Sequence, residues 1–147
     1  LRHPSAGVRR NALLVLPRNE EVILPILQSS VLRDKNPQVK LAALLTLADL
    51  PPSLEAANAV REALASEEVR SDRWLKDAAT SAAAKHDAAF LKGVLTNKDE
   101  KLQTPPVEVL SIVAEHYSRG APTETIASLL PALGSAKDDV ALAVITG

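Results

Sequence analysis

The chain contains no cysteine. Disulfides, zinc–thiolate sites and thiol chemistry are therefore excluded within these residues. Aromatic side chains are nearly as scarce, with Phe90, Trp74 and Tyr117 the only ones. Neither sign of charge prevails: 17 basic and 18 acidic residues leave a formal net charge of −1. That balance gives no field that would hold nucleic acid or an anionic membrane surface. No apolar run approaches the ~18 residues that span a bilayer, so direct membrane insertion is not expected. The opening Leu1-Arg2-His3-Pro4 does not read as a signal peptide. The chain reads as an excised piece of a longer multidomain protein, with residues 1–147 as one domain.

What is present in abundance is Ala and Leu, within a hydrophobic fraction of 46%. Both are strong helix formers, whereas strands favour β-branched and aromatic residues, and no segment alternates with period two. The Ala and Leu fall in a repeating block. Val8-Arg9-Arg10-Asn11-Ala12-Leu13-Leu14-Val15-Leu16 aligns on Val39-Lys40-Leu41-Ala42-Ala43-Leu44-Leu45-Thr46-Leu47. Degenerate copies start at Leu75, Val107 and Val140, giving steps of 31, 36, 32 and 33 residues. A period of roughly 30 to 45 residues suits one helical hairpin per repeat.

The pattern predicts helices near 6–16, 20–33, 37–50, 54–67, 73–85, 87–95, 106–118 and 123–133, with another opening near 138. Asn36-Pro37 and Thr104-Pro105 place a capping side chain before a proline that suits a first turn. Asn19, Ser53 and Asp72 read as further N-caps, and Gly120 and Gly134 as stops. Pro25 and Pro131 lie inside predicted helices, so a kink is expected at Pro25. Ala12, Ala43, Ala79 and Ser111 share one position, where small side chains let neighbouring helices approach. Leu13/Leu16, Leu44/Leu47 and Ile23/Leu27 sit at helical spacing and should face the core. Leu44→Ala is then expected to destabilise more than Arg9→Ala, unless Arg9 pairs inside an inter-repeat groove.

These anchors, with proline near the start of a repeat's first helix, resemble HEAT-type repeats over essentially the whole chain. Three longer strings are similar to something narrower: His3 to Leu13, Gln38 to Leu45, and Asp72-Arg73-Trp74-Leu75-Lys76-Asp77-Ala78-Ala79. They resemble the HEAT-repeat segment of large bacterial proteins known as membrane-bound dehydrogenases with c-type haem-binding domains. In that family the segment lies between a β-propeller-like dehydrogenase domain and a cytochrome domain. The resemblance implies an all-α solenoid of four stacked hairpins and part of a fifth, wound as a right-handed superhelix. It also implies an exported or cell-envelope parent protein that carries c-type haem. The haem motif needs Cys-x-x-Cys-His, so no cofactor role carries over to these residues.

No constellation of residues points to catalysis. His3, His86 and His116 lie in different repeats without a partner one turn away, which reads as helix-end or surface histidines rather than a metal site. Di-iron HEAT-repeat hydroxylases rely on repeated His-Glu pairs, and this sequence has none in that order. The glycines are isolated, so no phosphate loop forms. Ser5, Thr80 and Ser81 lack the context of an activated nucleophile. Arg9, Arg10 and Lys40 suggest a basic ridge, with Arg61, Arg70 and Arg73 adding charge farther on. Glutamates on the second helices interrupt it, so salt bridges and solvated faces are expected instead of a nucleic-acid groove. Trp74 is expected to fill an inter-repeat gap left by its alanine neighbours; the alternative makes Arg73 and Trp74 a partner contact. The functional expectation is a non-catalytic scaffold without catalytic, cofactor or metal residues, serving flanking domains or a protein partner. The alternative is a structural module of an exported haem-containing dehydrogenase.

Overall fold

The computed structural model describes residues 1–99, 102–120 and 123–147. It is 74% helix, with no strand among the described residues. The helices are α1 (Ala6–Leu14), α2 (Ile23–Gln28), α3 (Pro37–Asp49), α4 (Leu54–Ala65), α5 (Glu67–Ser71), α6 (Arg73–Lys85), α7 (Asp87–Leu95), α8 (Val107–Arg119), α9 (Thr123–Leu133) and α10 (Asp138–Thr146). Their starts follow from local chemistry. The Asn36 side chain accepts from the Gln38 N–H at 2.9 Å, with Pro37 opening α3. Ser53 Oγ accepts from Ala56 at 3.1 Å to start α4, and Asp72 Oδ1 accepts from Leu75 at 3.0 Å to start α6. Each satisfies a donor that the first helical turn leaves unpaired.

Four local expectations need correction. The helix expected over 20–33 is broken into a 3-10 turn at Glu20–Val22, α2, and a second 3-10 turn at Val31–Arg33. A break comes at Ser30, whose φ of 64° is left-handed. Residues 67–71 form a separate short helix, α5, because Ser66 Oγ caps it by accepting from Val69 at 3.3 Å. Thr104 caps nothing: α8 starts at Val107, after Pro106. Val107 itself is exposed, and α8 buries Val109, Leu110, Val113, Ala114 and Tyr117 instead of its expected anchor. Pro131 does lie inside α9.

The helices pack in two series. α1 packs on α3, α3 on α6, α6 on α8 and α8 on α10, while α2 packs on α4, α4 on α7 and α7 on α9. Contacts between α4 and α6, α6 and α7, and α7 and α8 join the series. One apolar core runs from Leu13 to Ala143 and includes Leu44, Leu47, Leu64, Phe90 and Leu110. The broadest contact is between α3 and α6. Ala42 and Ala43 lie buried on α3, and Ala78, Ala79, Ala82 and Ala83 on α6. Side chains this small allow the helix axes to approach closely. Ser111 serves the same end on α8: its Oγ donates to the Ala143 carbonyl of α10 at 3.2 Å.

The basic residue that follows the first three anchors is tied in each to an acid farther along the chain. Arg9 meets Asp34 through both Nε (2.6 Å) and Nη2 (2.8 Å). Lys40 pairs with Glu68, and Lys76 with Glu108 at 3.4 Å. The first pair is the best built, because Arg9 Nη1 also donates to the His3 and Pro4 carbonyls and Asp34 accepts from the Asn36 N–H. The Arg9 hydrogen bond holds the Asp34 carboxyl below its ordinary range, opposed by burial and helped by the Asn36 N–H. Arg9→Ala and Asp34→Ala should each lower the urea midpoint, and the double variant should lose less than the two single losses added together. Strict additivity in that cycle would show that the two side chains do not act as a pair.

Candidate partner-binding surface

Asp72 fixes the start of α6, and its cap sets the direction of the two residues that follow. Trp74 is 67% exposed, and the Arg73 guanidinium stands 5.6 Å from the centre of its ring, within cation–π range. Arg73 Nε also lies 3.7 Å from Asp77 Oδ2, one turn along. The gap-filling expectation for Trp74 is thus overturned. Leu75 and the alanines of α6 are the residues buried on that helix, which packs against α3. What remains is a large flat apolar side chain held in water, flanked by a cation.

The expected basic ridge is divided into ion pairs. Arg9, Lys40 and Lys76 take part in the ion pairs described above, Arg33 pairs with Glu62 at 2.8 Å, and Arg70 with Glu67 at 2.8 Å. Arg10 is exposed.

The three histidines do not converge. His3 is exposed, and its Nδ1 accepts from the Ser5 N–H at 3.1 Å. His116, on α8, pairs with Asp87 at the start of α7, with Nδ1 to Oδ2 at 3.0 Å. His86 departs from the expectation of a surface residue: it sits between α6 and α7 and is only 1% exposed. Its Nε2 lies 3.0 Å from the Leu47 carbonyl, and its Nδ1 3.1 Å from the Ser53 N–H. A carbonyl only accepts and an N–H only donates, so the ring is neutral with the proton on Nε2. Burial pushes its pKa below the ordinary histidine value, only partly offset by the Leu47 hydrogen bond. His86 therefore joins the end of α3, the start of α4 and the α6–α7 junction. The sequence offers one hint only, that His86 is the single residue between two predicted helices. Among the described residues no three His, Asp or Glu side chains group as metal ligands, and no helix is long and apolar enough to cross a membrane.

The chain matches no protein-family model, no curated protein and no solved structure.

Surface relief adds a feature that the sequence reading missed. An open cleft of about 520 Å³ lies between the Ser30–Arg33 turn and α4. A second, of about 470 Å³, lies between α4 and α7, and a third, of about 260 Å³, lies beyond the end of α7, against Thr104, Pro105 and Lys137. Asn58 lines the first and second, and Arg61 the second and third. Arg61 Nη1 donates to the Gly93 carbonyl at 2.7 Å, while its buried Nε has no acceptor. A separate cleft of about 510 Å³ among α7–α10 is mainly apolar, lined by Leu91, Ile126, Leu130 and Val144 among others.

Proposed function

We propose that residues 1–147 form a non-catalytic scaffold: a HEAT-like solenoid of four helical hairpins and part of a fifth, right-handed by its family resemblance, that holds flanking domains or a protein partner. The observation that carries this reading is where the repeated block lies. Its copies open helices of one packed series, and in the three copies that carry a basic residue it is spent on an acid farther along the chain. The apolar residues of the block thus serve to pack one helix of the series on the next, as in arrays where each unit buries its apolar face on a neighbour. Trp74 and Arg73 stand outside that joinery, and exposed Trp and Arg are the side chains that most often anchor protein contacts.

The test is a photo-crosslinking residue placed at Trp74 and, as a control, at exposed Ser81, in cells that make the protein. A discrete adduct with one polypeptide from position 74, absent from position 81, is the expected result. No adduct from position 74 overturns it as the contact.

The second reading makes the chain a structural part of an exported haem-containing dehydrogenase. It is favoured by the three strings of family resemblance, which cover the starts of α1, α3 and α6. Its expected outcome is a Soret band in the polypeptide purified as it occurs in the cell, with none in residues 1–147 alone.

A further inference from the structure

We infer that a second copy of this chain docks head-to-tail on the first, with α1 of one copy stacked on α10 of the other. The inference rests on the scaffold reading and names the protein partner as the chain itself. Among the described residues, α3, α6 and α8 each pack on two helices of their series, whereas α1 and α10 each pack on one. The repeated block shows which faces are left open. Val8, Asn11 and Val15 of α1 align on Val39, Ala42 and Thr46 of α3. All three α3 residues are buried, and Thr46 Oγ1 lies 3.5 Å from the Leu13 carbonyl of α1. Thr46 thus marks the side on which α3 receives the helix before it. On α1 the same side is bare: Val8 and Asn11 are exposed, and Val15 is 81% exposed.

The opposite side is bare on α10. Ile145 stands five residues after its anchor, as Leu13 and Leu44 do after theirs. Leu13 is the one buried residue of α1, which packs on α3, whereas Ile145 is 69% exposed, with exposed Leu142 one turn before it. α10 therefore offers the side that meets a following helix, and α1 the side that meets a preceding one. The second series continues in step, because α1 on α10 brings α2 to α9, and exposed Leu24 to the apolar cleft lined by Ile126, Leu130 and Ile145.

Charge selects this pairing over the alternatives. α1 carries Arg9 and Arg10 and no acid, while α10 carries Asp138 and Asp139 and no base. Arg9 is held by Asp34, but Arg10, Asp138 and Asp139 are exposed, and among the described residues none of them has an ion-pair partner. All three lie within two residues of an anchor, Val8 or Val140. Lys76 and Glu108, each next to its own anchor, already pair across α6 and α8 in that way. Stacking α1 on α1 would set arginine against arginine, and α10 on α10 aspartate against aspartate. Two copies thus meet by unlike faces, and a contact of that kind leaves one face of each type free to add further copies.

The experiment is sedimentation velocity of the 147-residue chain over a concentration series, with variants that block one face each. The native chain should grow beyond a dimer as concentration rises. Val15→Glu and Ile145→Lys, both at exposed positions, should each be monomeric alone and keep the native circular dichroism. Mixed, they should form a dimer of one copy of each and nothing larger, because Val15→Glu keeps its α10 face and Ile145→Lys its α1 face. Arg10→Glu added to the Ile145→Lys copy should weaken that dimer by about tenfold or more, as like charges brought together at an interface do. Asp138→Lys with Asp139→Lys in the Val15→Glu copy should restore it. Trp74→Ala in both copies should leave it unchanged. A monomer at every concentration overturns the inference, as does self-association of either blocked variant alone, the mark of like faces meeting. So does a mixed dimer indifferent to Arg10→Glu, or one that the two lysines fail to restore, since apolar adhesion alone would then hold it. Association that depends on Trp74 overturns the head-to-tail contact while leaving the scaffold reading in place. That reading fails separately, through the crosslink at position 74.

Discussion

Leu44→Ala is expected to lower the free energy of unfolding by about 2–5 kcal/mol, the range for truncating a fully buried leucine. Leu45→Ala, on the same helix, should cost less than about 1 kcal/mol, as surface substitutions usually do. The two residues share backbone geometry and helix propensity and differ in burial: Leu44 is 1% exposed and Leu45 44%. Urea denaturation monitored by circular dichroism checks the ranking. Equal losses would mean that α3 presents a different face to its neighbours.

The second large effect belongs to His86. His86→Ala leaves the Leu47 carbonyl and the Ser53 N–H without partners, at about 1–3 kcal/mol for each unsatisfied buried group. The same residue sets a pH dependence whose sign follows from its lowered pKa. In the unfolded chain His86 takes up a proton near the ordinary value of 6.5, while in the folded chain it resists until lower pH. Below about pH 6.5 the unfolded state binds more protons, so folding stability declines as the solution is acidified. Its contribution is fully present above pH 6.5 and is lost progressively toward the folded pKa. Comparing Tm at pH 7.5 and 5.5 isolates it, because the lowered carboxyl of Asp34 titrates well below that window. The native chain should lose more Tm than His86→Ala across that interval. Equal losses would show that the histidine is not held neutral in the folded state.

Most helix positions could be read from the sequence because they depend on local signals. Asn36-Pro37, Ser53 and Asp72 announce their helices, and the Ala–Leu spacing separates buried from exposed faces. The failures have physical causes as well. Pro25 looked interior to a long helix because the break at Ser30 depends on one left-handed φ that no residue type demands. Val107 aligned with Leu75 by sequence, but α8 is turned so that Val109 and Leu110 face the core, a rotation set by packing against α6, α7 and α10. Trp74 was assigned to a gap because its alanine neighbours suggested empty space, whereas those alanines bring α3 and α6 together. Less of the candidate surface was legible. The clefts beside α4 and α7 are made by side chains from those helices and from the segments near Thr104 and Lys137, whose adjacency exists only after folding. The Arg73–Trp74 pair was visible as an unusual string, but its exposure was not.

The ion pairs also bear on how a chain of related blocks avoids misassembly. The hazard for such a chain is docking one block on the wrong neighbour, since apolar faces rich in leucine and alanine discriminate weakly. Arg9 finds its acid 25 residues later and Lys40 finds Glu68, in each case before the next copy of the block begins, so these pairs fasten a block to its own following segment whichever neighbour it meets. Lys76 instead reaches Glu108, in the next copy, 32 residues later. Docking α6 on a different helix would strand Lys76, so the contact between α6 and α8 is the one whose charges help to choose the neighbour.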